Sequence, residues 1–98
     1  MIDRITKNEE RFDQILLNVK ELQKNLETFE QNQKDLLLLK KYYHSKTWIK
    51  DKDNYEKNVI PKVKAGVLSE DGIWNMLSDL DELIIDMKRI IKKYESSK

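Results

Sequence analysis

No proline occurs before Pro61 and no glycine before Gly66. Over that span the chain lacks both residues that most readily stop a helix or turn a strand. Ile5, Phe12, Ile15, Val19, Leu22, Leu26, Phe29 and Leu36 recur there on alternating three- and four-residue steps, with polar Asn8 and Gln33 completing the series. That spacing is a seam of a/d type. It predicts one uninterrupted helix over about residues 3–43, of which 5–43 would be roughly 58 Å long at 1.5 Å per residue. A helix of this kind draws little stability from itself and must lay its apolar stripe on something.

A second long helix is expected over about 70–94. Ile73, Leu77, Leu80, Ile84, Met87, Ile91 and Tyr94 follow strict 4-3 spacing, and Trp74, Leu83 and Ile90 widen the face. Its start is well marked. Ser69 is a good N-cap, Glu70 and Asp71 favour the positive end of the helix dipole, and Leu68 with Ile73 occupies the two positions of a hydrophobic staple. The capping box is incomplete, because Gly72 stands where Glu or Gln would complete it. Gly66 suits a left-handed residue closing the preceding turn. Lys88, Arg89, Lys92 and Lys93 complement the far end of the dipole, and residues 95–98 are expected to fray.

Between the two seams the signals are shorter. Tyr42 to Ser45 ends the first helix, and Ser45 or Thr47 can cap a short helix over about 46–57 that Asn58 stops. Pro61 is placed to begin a turn over 61–66. The run of four leucines at 36–39 is apolar on all sides of a helix, so it should be enclosed, with Trp48, Leu68 and Trp74 closing over it and over Tyr43. The polar stretch Gln31, Asn32, Gln33, Lys34 just before it reads as a change of packing partner.

Several function classes fall away. The 98 residues include no cysteine, which removes disulfides and thiolate catalysis. No apolar stretch reaches membrane-spanning length and the N-terminus lacks a signal-peptide core, so a cytoplasmic protein is expected. His44 is the only histidine, and Lys40, Lys41, Thr47 and Trp48 occupy the spacings where a helical metal partner would stand. Asp51, Asp53 and Tyr55 begin like a calcium loop, but Glu56 replaces the glycine and Lys62 the final glutamate. Asp79, Asp81, Glu82 and Asp86 lie off the seam and read as a solvated face. There is no glycine-rich phosphate loop and no nucleophile in a recognisable setting. No catalytic residue, cofactor or metal is expected, and the chain does not read as an enzyme.

At this point the chain resembles a family. Tyr42, Tyr43, His44, Ser45, Lys46, Thr47 and Trp48, then Pro61, then the block Gly66, Val67, Leu68, Ser69, Glu70, Asp71, Gly72, Ile73, Trp74 look like the signature of the small bacterial proteins grouped as domain-of-unknown-function family 4298. The likeness covers nearly the whole chain. It implies an all-helical bacterial cytoplasmic protein and assigns no activity. Relatives tend to be acidic between Trp48 and Pro61; Asp51 and Glu56 keep that habit, while Lys50, Lys52, Tyr55 and Asn58 depart from it.

The charge is uneven. Eight lysines face three acids over 40–64, whereas acids outnumber bases by two on either side. These lysines interleave with Tyr42, Tyr43, Trp48 and Tyr55, a pattern that suits weak binding to nucleic acid or an anionic surface. The competing explanation is that the aromatic residues form core while the lysines stay in water. A secreted helical hairpin with a Trp-x-Gly turn stays only as a lesser alternative, because Ile49 and Lys50 follow Trp48 and the motif is missing.

The sequence therefore reads as one all-α domain, a long antiparallel helical hairpin with a short helical insertion. Its expected role is protein interaction or assembly, as a homodimer. Ile2, Ile5, Phe12, Leu16, Tyr42, Tyr43, Trp48 and Trp74 form the candidate interaction surface.

Overall fold

The first seam does form a helix, but a shorter one than its spacing predicts. In the computed structural model, which describes residues 1–61, 65–69 and 71–98, helix α1 runs Ile2–Gln31 and α2 runs Gln33–Tyr43. Helix α3, Lys46–Glu56, a 3-10 turn at Gly66–Leu68 and helix α4, Gly72–Ser97, complete the described elements. The class is all-α; the antiparallel pairing of two long arms remains an expectation of the sequence. Chain contacts divide the protein into two compact units, Met1–Lys40 and Lys41–Lys98.

In the first unit, the expected continuous helix is interrupted at Asn32, whose φ and ψ are −82° and −6°. The cause is local. Asn32 N–H still reaches Thr28 O at 3.1 Å, but the Gln33 side-chain amide donates to Phe29 O at 3.2 Å, taking a carbonyl that the backbone ladder would otherwise use. The ladder resumes with Leu36 N–H on Asn32 O at 2.9 Å. The leucine run is also not enclosed as expected. Leu36 and Leu39 are half-buried, while Leu37 and Leu38 are exposed. Residues three apart share one face of the short helix, and only that face is covered.

The second unit is held at its corners by two serines that work alike. Ser45 is extended, with φ −95° and ψ 159°; its N–H and its hydroxyl both donate to Tyr42 O, and its Oγ accepts the Trp48 N–H at 3.1 Å. Ser69, at φ −74° and ψ 146°, bonds to Gly66 O through N–H and hydroxyl and accepts the Gly72 N–H at 2.9 Å. Each serine thus closes one turn and caps the next with a single side chain.

Helix α3 ends as Asn58 allows. Asn58 is left-handed at φ 59°, Val59 N–H reaches Asn54 O at 2.9 Å and Asn58 N–H reaches Tyr55 O at 3.2 Å, which together make a Schellman closure. Gly66 is not left-handed, contrary to expectation, because it sits inside the 3-10 turn, where right-handed backbone is required. Helix α4 begins at Gly72, two residues later than expected; Glu70, where the sequence places its start, lies outside the described residues, as do Lys62, Val63 and Lys64 of the expected 61–66 turn. At the other end α4 stays helical through Ser97, with the Ser96 and Ser97 hydroxyls bonding back to Lys92 O and Tyr94 O.

Leu68 and Ile73, the two staple positions, are the only buried residues among those described, at 9% and 4% exposure. Gly72 is what lets the 3-10 turn lie so close to the start of α4. A Cβ there would stand 2.5 Å from Ser69 Oγ and 2.8 Å from Gly66 O, whereas a Cβ on Gly66 would meet open space. In an ordinary helix Gly→Ala gains up to about 1 kcal/mol. Here Gly72→Ala should instead lower the melting temperature, at a cost of about 1–3 kcal/mol from overpacking. Gly66→Ala should be neutral or stabilising by about 0.4–1 kcal/mol. Thermal melts of the two variants check this; a Gly72→Ala protein melting at or above the parent would contradict the crowding.

Candidate interaction surface

The eight candidate residues fall into two kinds. Ile2, Ile5, Phe12 and Leu16 belong to α1, where no residue is buried. Phe12 is 58% exposed and Leu16 41%, and the seam continues outward-facing through Ile15, Val19, Leu22, Leu26 and Phe29. Asn8, the one polar member in α1, is already satisfied within its own helix: its amide donates to Arg4 O at 2.9 Å and its Oδ1 accepts from Arg11 at 3.0 Å. Trp74 is also exposed, at 60%.

Tyr42, Tyr43 and Trp48 are half-buried and committed to their own unit. The Trp48 indole N–H donates to Val67 O at 2.9 Å, tying α3 to the 3-10 turn. Its ring meets Tyr43 edge-on, with centroids 5.0 Å apart, and Tyr43 lies 5.2 Å from the exposed His44 ring. Such contacts add about 0.5–1.5 kcal/mol beyond area burial. The Tyr42 hydroxyl donates to Asp51 Oδ2 at 2.7 Å. Burial pushes the Tyr42 phenol above its ordinary value of 10.0, and the hydrogen bond to Asp51 and the charge of that carboxylate push the same way.

Asp51 was not marked by the sequence as a partner of Tyr42. Nine residues separate them, and only the corner at Ser45 brings them together. The acids expected to remain solvated do so: Asp79, Asp81, Glu82 and Asp86 are exposed. Of the lysines, Lys52 pairs with Glu56 at 2.6 Å and Lys57 with Asp53 at 3.0 Å, each one turn apart on α3. The Lys57 pair is exposed and contributes a few tenths of a kcal/mol, whereas the Lys52 side chain is half-buried; together they occupy two of the cations in the basic middle. No cluster of three or more metal-ligating side chains occurs among the described residues, and no described helix is long and apolar enough to cross a membrane.

The arrangement defines a small all-α protein: a helical unit knotted around a 3-10 turn, and a long helix that keeps its apolar seam on the surface. The chain belongs to the family described as domain of unknown function DUF4298, whose model matches residues 5–90. Neither a curated protein nor a solved structure matches it.

Two consequences of the aromatic contacts can be measured. Trp48→Phe keeps an aromatic ring, though a smaller one, and loses the bond to Val67 O, which should cost at least about 1 kcal/mol. A urea midpoint that falls without a change in slope would show it. The phenol of Tyr42 is held protonated in the folded chain, so its contribution is intact below pH 10 and is lost as pH rises through the raised value. Asp51→Asn removes the carboxylate charge and should move that alkaline loss to lower pH. Midpoints measured across the alkaline range, in parent and variant, check the direction.

Proposed function

We propose that this protein is a helical interaction module that assembles as a homodimer through the apolar seam of α1, and that it is not an enzyme. The observation that carries the reading is the exposure of eight apolar residues, Ile5, Phe12, Ile15, Leu16, Val19, Leu22, Leu26 and Phe29, on one helix of 30 residues. An exposed stripe of this length is the usual mark of an interaction surface. A standard specific interface covers about 800 Å² on each partner, a demand that a stripe of eight large apolar side chains, each 37–62% exposed, is suited to meet. Closed two-fold symmetry is the commonest solution for soluble oligomers. A bacterial, cytoplasmic setting belongs to the same proposal.

Binding of nucleic acid or an anionic surface through the lysine-rich middle ranks lower. Lys52 and Lys57 are paired with acids, and the rings of Tyr43 and Trp48 face each other rather than standing free for base stacking.

Sedimentation equilibrium at micromolar concentration tests the assembly. The expected result is a species of twice the 11.8 kDa chain mass that Leu22→Asp converts to monomer, with α1 losing helix content and the helices of the second unit retained. A parent that sediments as monomer at every concentration would mean that the seam has a partner within its own chain, as in a closed α1–α4 hairpin, and would overturn the reading.

A further inference from the structure

We infer that the two copies of α1 run antiparallel in one register, with the two-fold axis passing beside Leu16 and Asn18; this rests on the proposal that α1 is where the copies meet. In the heptad of this helix Ile5, Phe12, Val19 and Leu26 hold the a positions, and Asn8, Ile15, Leu22 and Phe29 hold the d positions. An antiparallel pair sets a against d. Centred on this axis, Ile5 faces the partner's Phe29, Asn8 the partner's Leu26, Phe12 the partner's Leu22, and Ile15 the partner's Val19. Each large ring then lies against an aliphatic side chain, so the layers fill evenly. A parallel pair would place Phe12 on the partner's Phe12 and Val19 on the partner's Val19, alternating crowded and underfilled layers.

Two side chains choose between these arrangements independently of layer volume. Leu16 is the one apolar residue on the e flank between Glu9 and Gln23, and it is 41% exposed. Antiparallel e positions face e positions, so Leu16 meets the partner's Leu16 on the axis. In a parallel pair e faces g, and Leu16 would lie beside the partner's Arg11. Asn8 is the second. A parallel pair stacks it on the partner's Asn8, an arrangement stabilised when the two amides bond to each other, but both polar ends are occupied by Arg4 O and Arg11. A satisfied Asn8 can instead lie against a leucine without leaving a polar group unpaired.

Charge and seam length together fix the register, since a one-heptad slide toward the N-termini leaves Phe29 with no residue opposite it. Here Glu9 falls beside the partner's Gln23 and Arg11 beside the partner's Asn25, so no like charges oppose. Sliding by one heptad the other way puts Glu9 beside the partner's Glu30 at both ends, which is unfavourable. It also carries the seam past Gln31 into the break at Asn32, whereas the register inferred here uses only unbroken α1.

The chain contains no cysteine, so single introduced thiols report position. Leu16→Cys should be joined to its own copy by a short bis-maleimide, and Glu9→Cys mixed with Gln23→Cys should give the same linkage without touching an apolar side chain. Asn8→Cys should stay unlinked, because its copy lies about 18 residues away along the helix, about 27 Å. Linkage of Asn8→Cys overturns the inference in favour of a parallel pair. A dimer by sedimentation with neither Leu16→Cys nor the Glu9 and Gln23 mixture linked also overturns it, while leaving the self-association reading in place. A parent that sediments as monomer removes both.

Discussion

The oxygen of Ser69 is the point on which the second unit depends. It donates to the Gly66 carbonyl behind it and accepts from the Gly72 amide ahead, so one hydroxyl both closes the 3-10 turn and starts α4. The close approach this requires is available only because residue 72 has no Cβ. With the turn so fixed, Leu68 and Ile73 are buried on either side of the serine, and the Val67 carbonyl is presented to the Trp48 indole. Ser45 repeats the device at the corner between α2 and α3. A unit with only two buried residues among those described has little area burial to draw on, so hydrogen bonds at the turns carry an unusual share of its definition.

The first unit obeys a different constraint. Its main helix satisfies its backbone internally and keeps its apolar seam on the surface. A single helix with such a stripe is stabilised mainly by what covers it. Order in the second unit is therefore a property of the chain itself, while order in α1 is proposed to depend on association. The positions that speak for a second copy are the small departures from a plain seam: a leucine on a flank, and an asparagine already bonded within its own helix.

Local signals were legible in the sequence. The Ser45 cap and the stop at Asn58 each depend on residues a few positions apart and are found as expected; Leu68 and Ile73 are buried, and Ser69 bonds to the Gly72 N–H, but the residue at the N-cap of α4 is Asp71. Gly66 was misread because a glycine before a helix is compatible with either hand, and only the 3-10 bonds decide it. The polar stretch at 31–34 was visible as a gap, but not as a break, because the competing Gln33 amide is a side-chain choice that periodicity does not register. Uniform apolarity at 36–39 was likewise a poor guide, since it states what a helix could bury and not how many neighbours it has. The pair of Tyr42 and Asp51 was out of reach, because it exists only once the corner at Ser45 has formed.

Amide hydrogen exchange measured as a function of protein concentration tests most directly whether order in the two units has different origins. The amides of Leu68, Ser69 and Gly72 and of the following turns of α4 should be equally protected at every dilution, while protection across the Ile5 to Phe29 stretch of α1 should rise with concentration. Protection of α1 that is independent of concentration, or protection at Gly72 that is lost on dilution together with that of α1, would contradict separate origins.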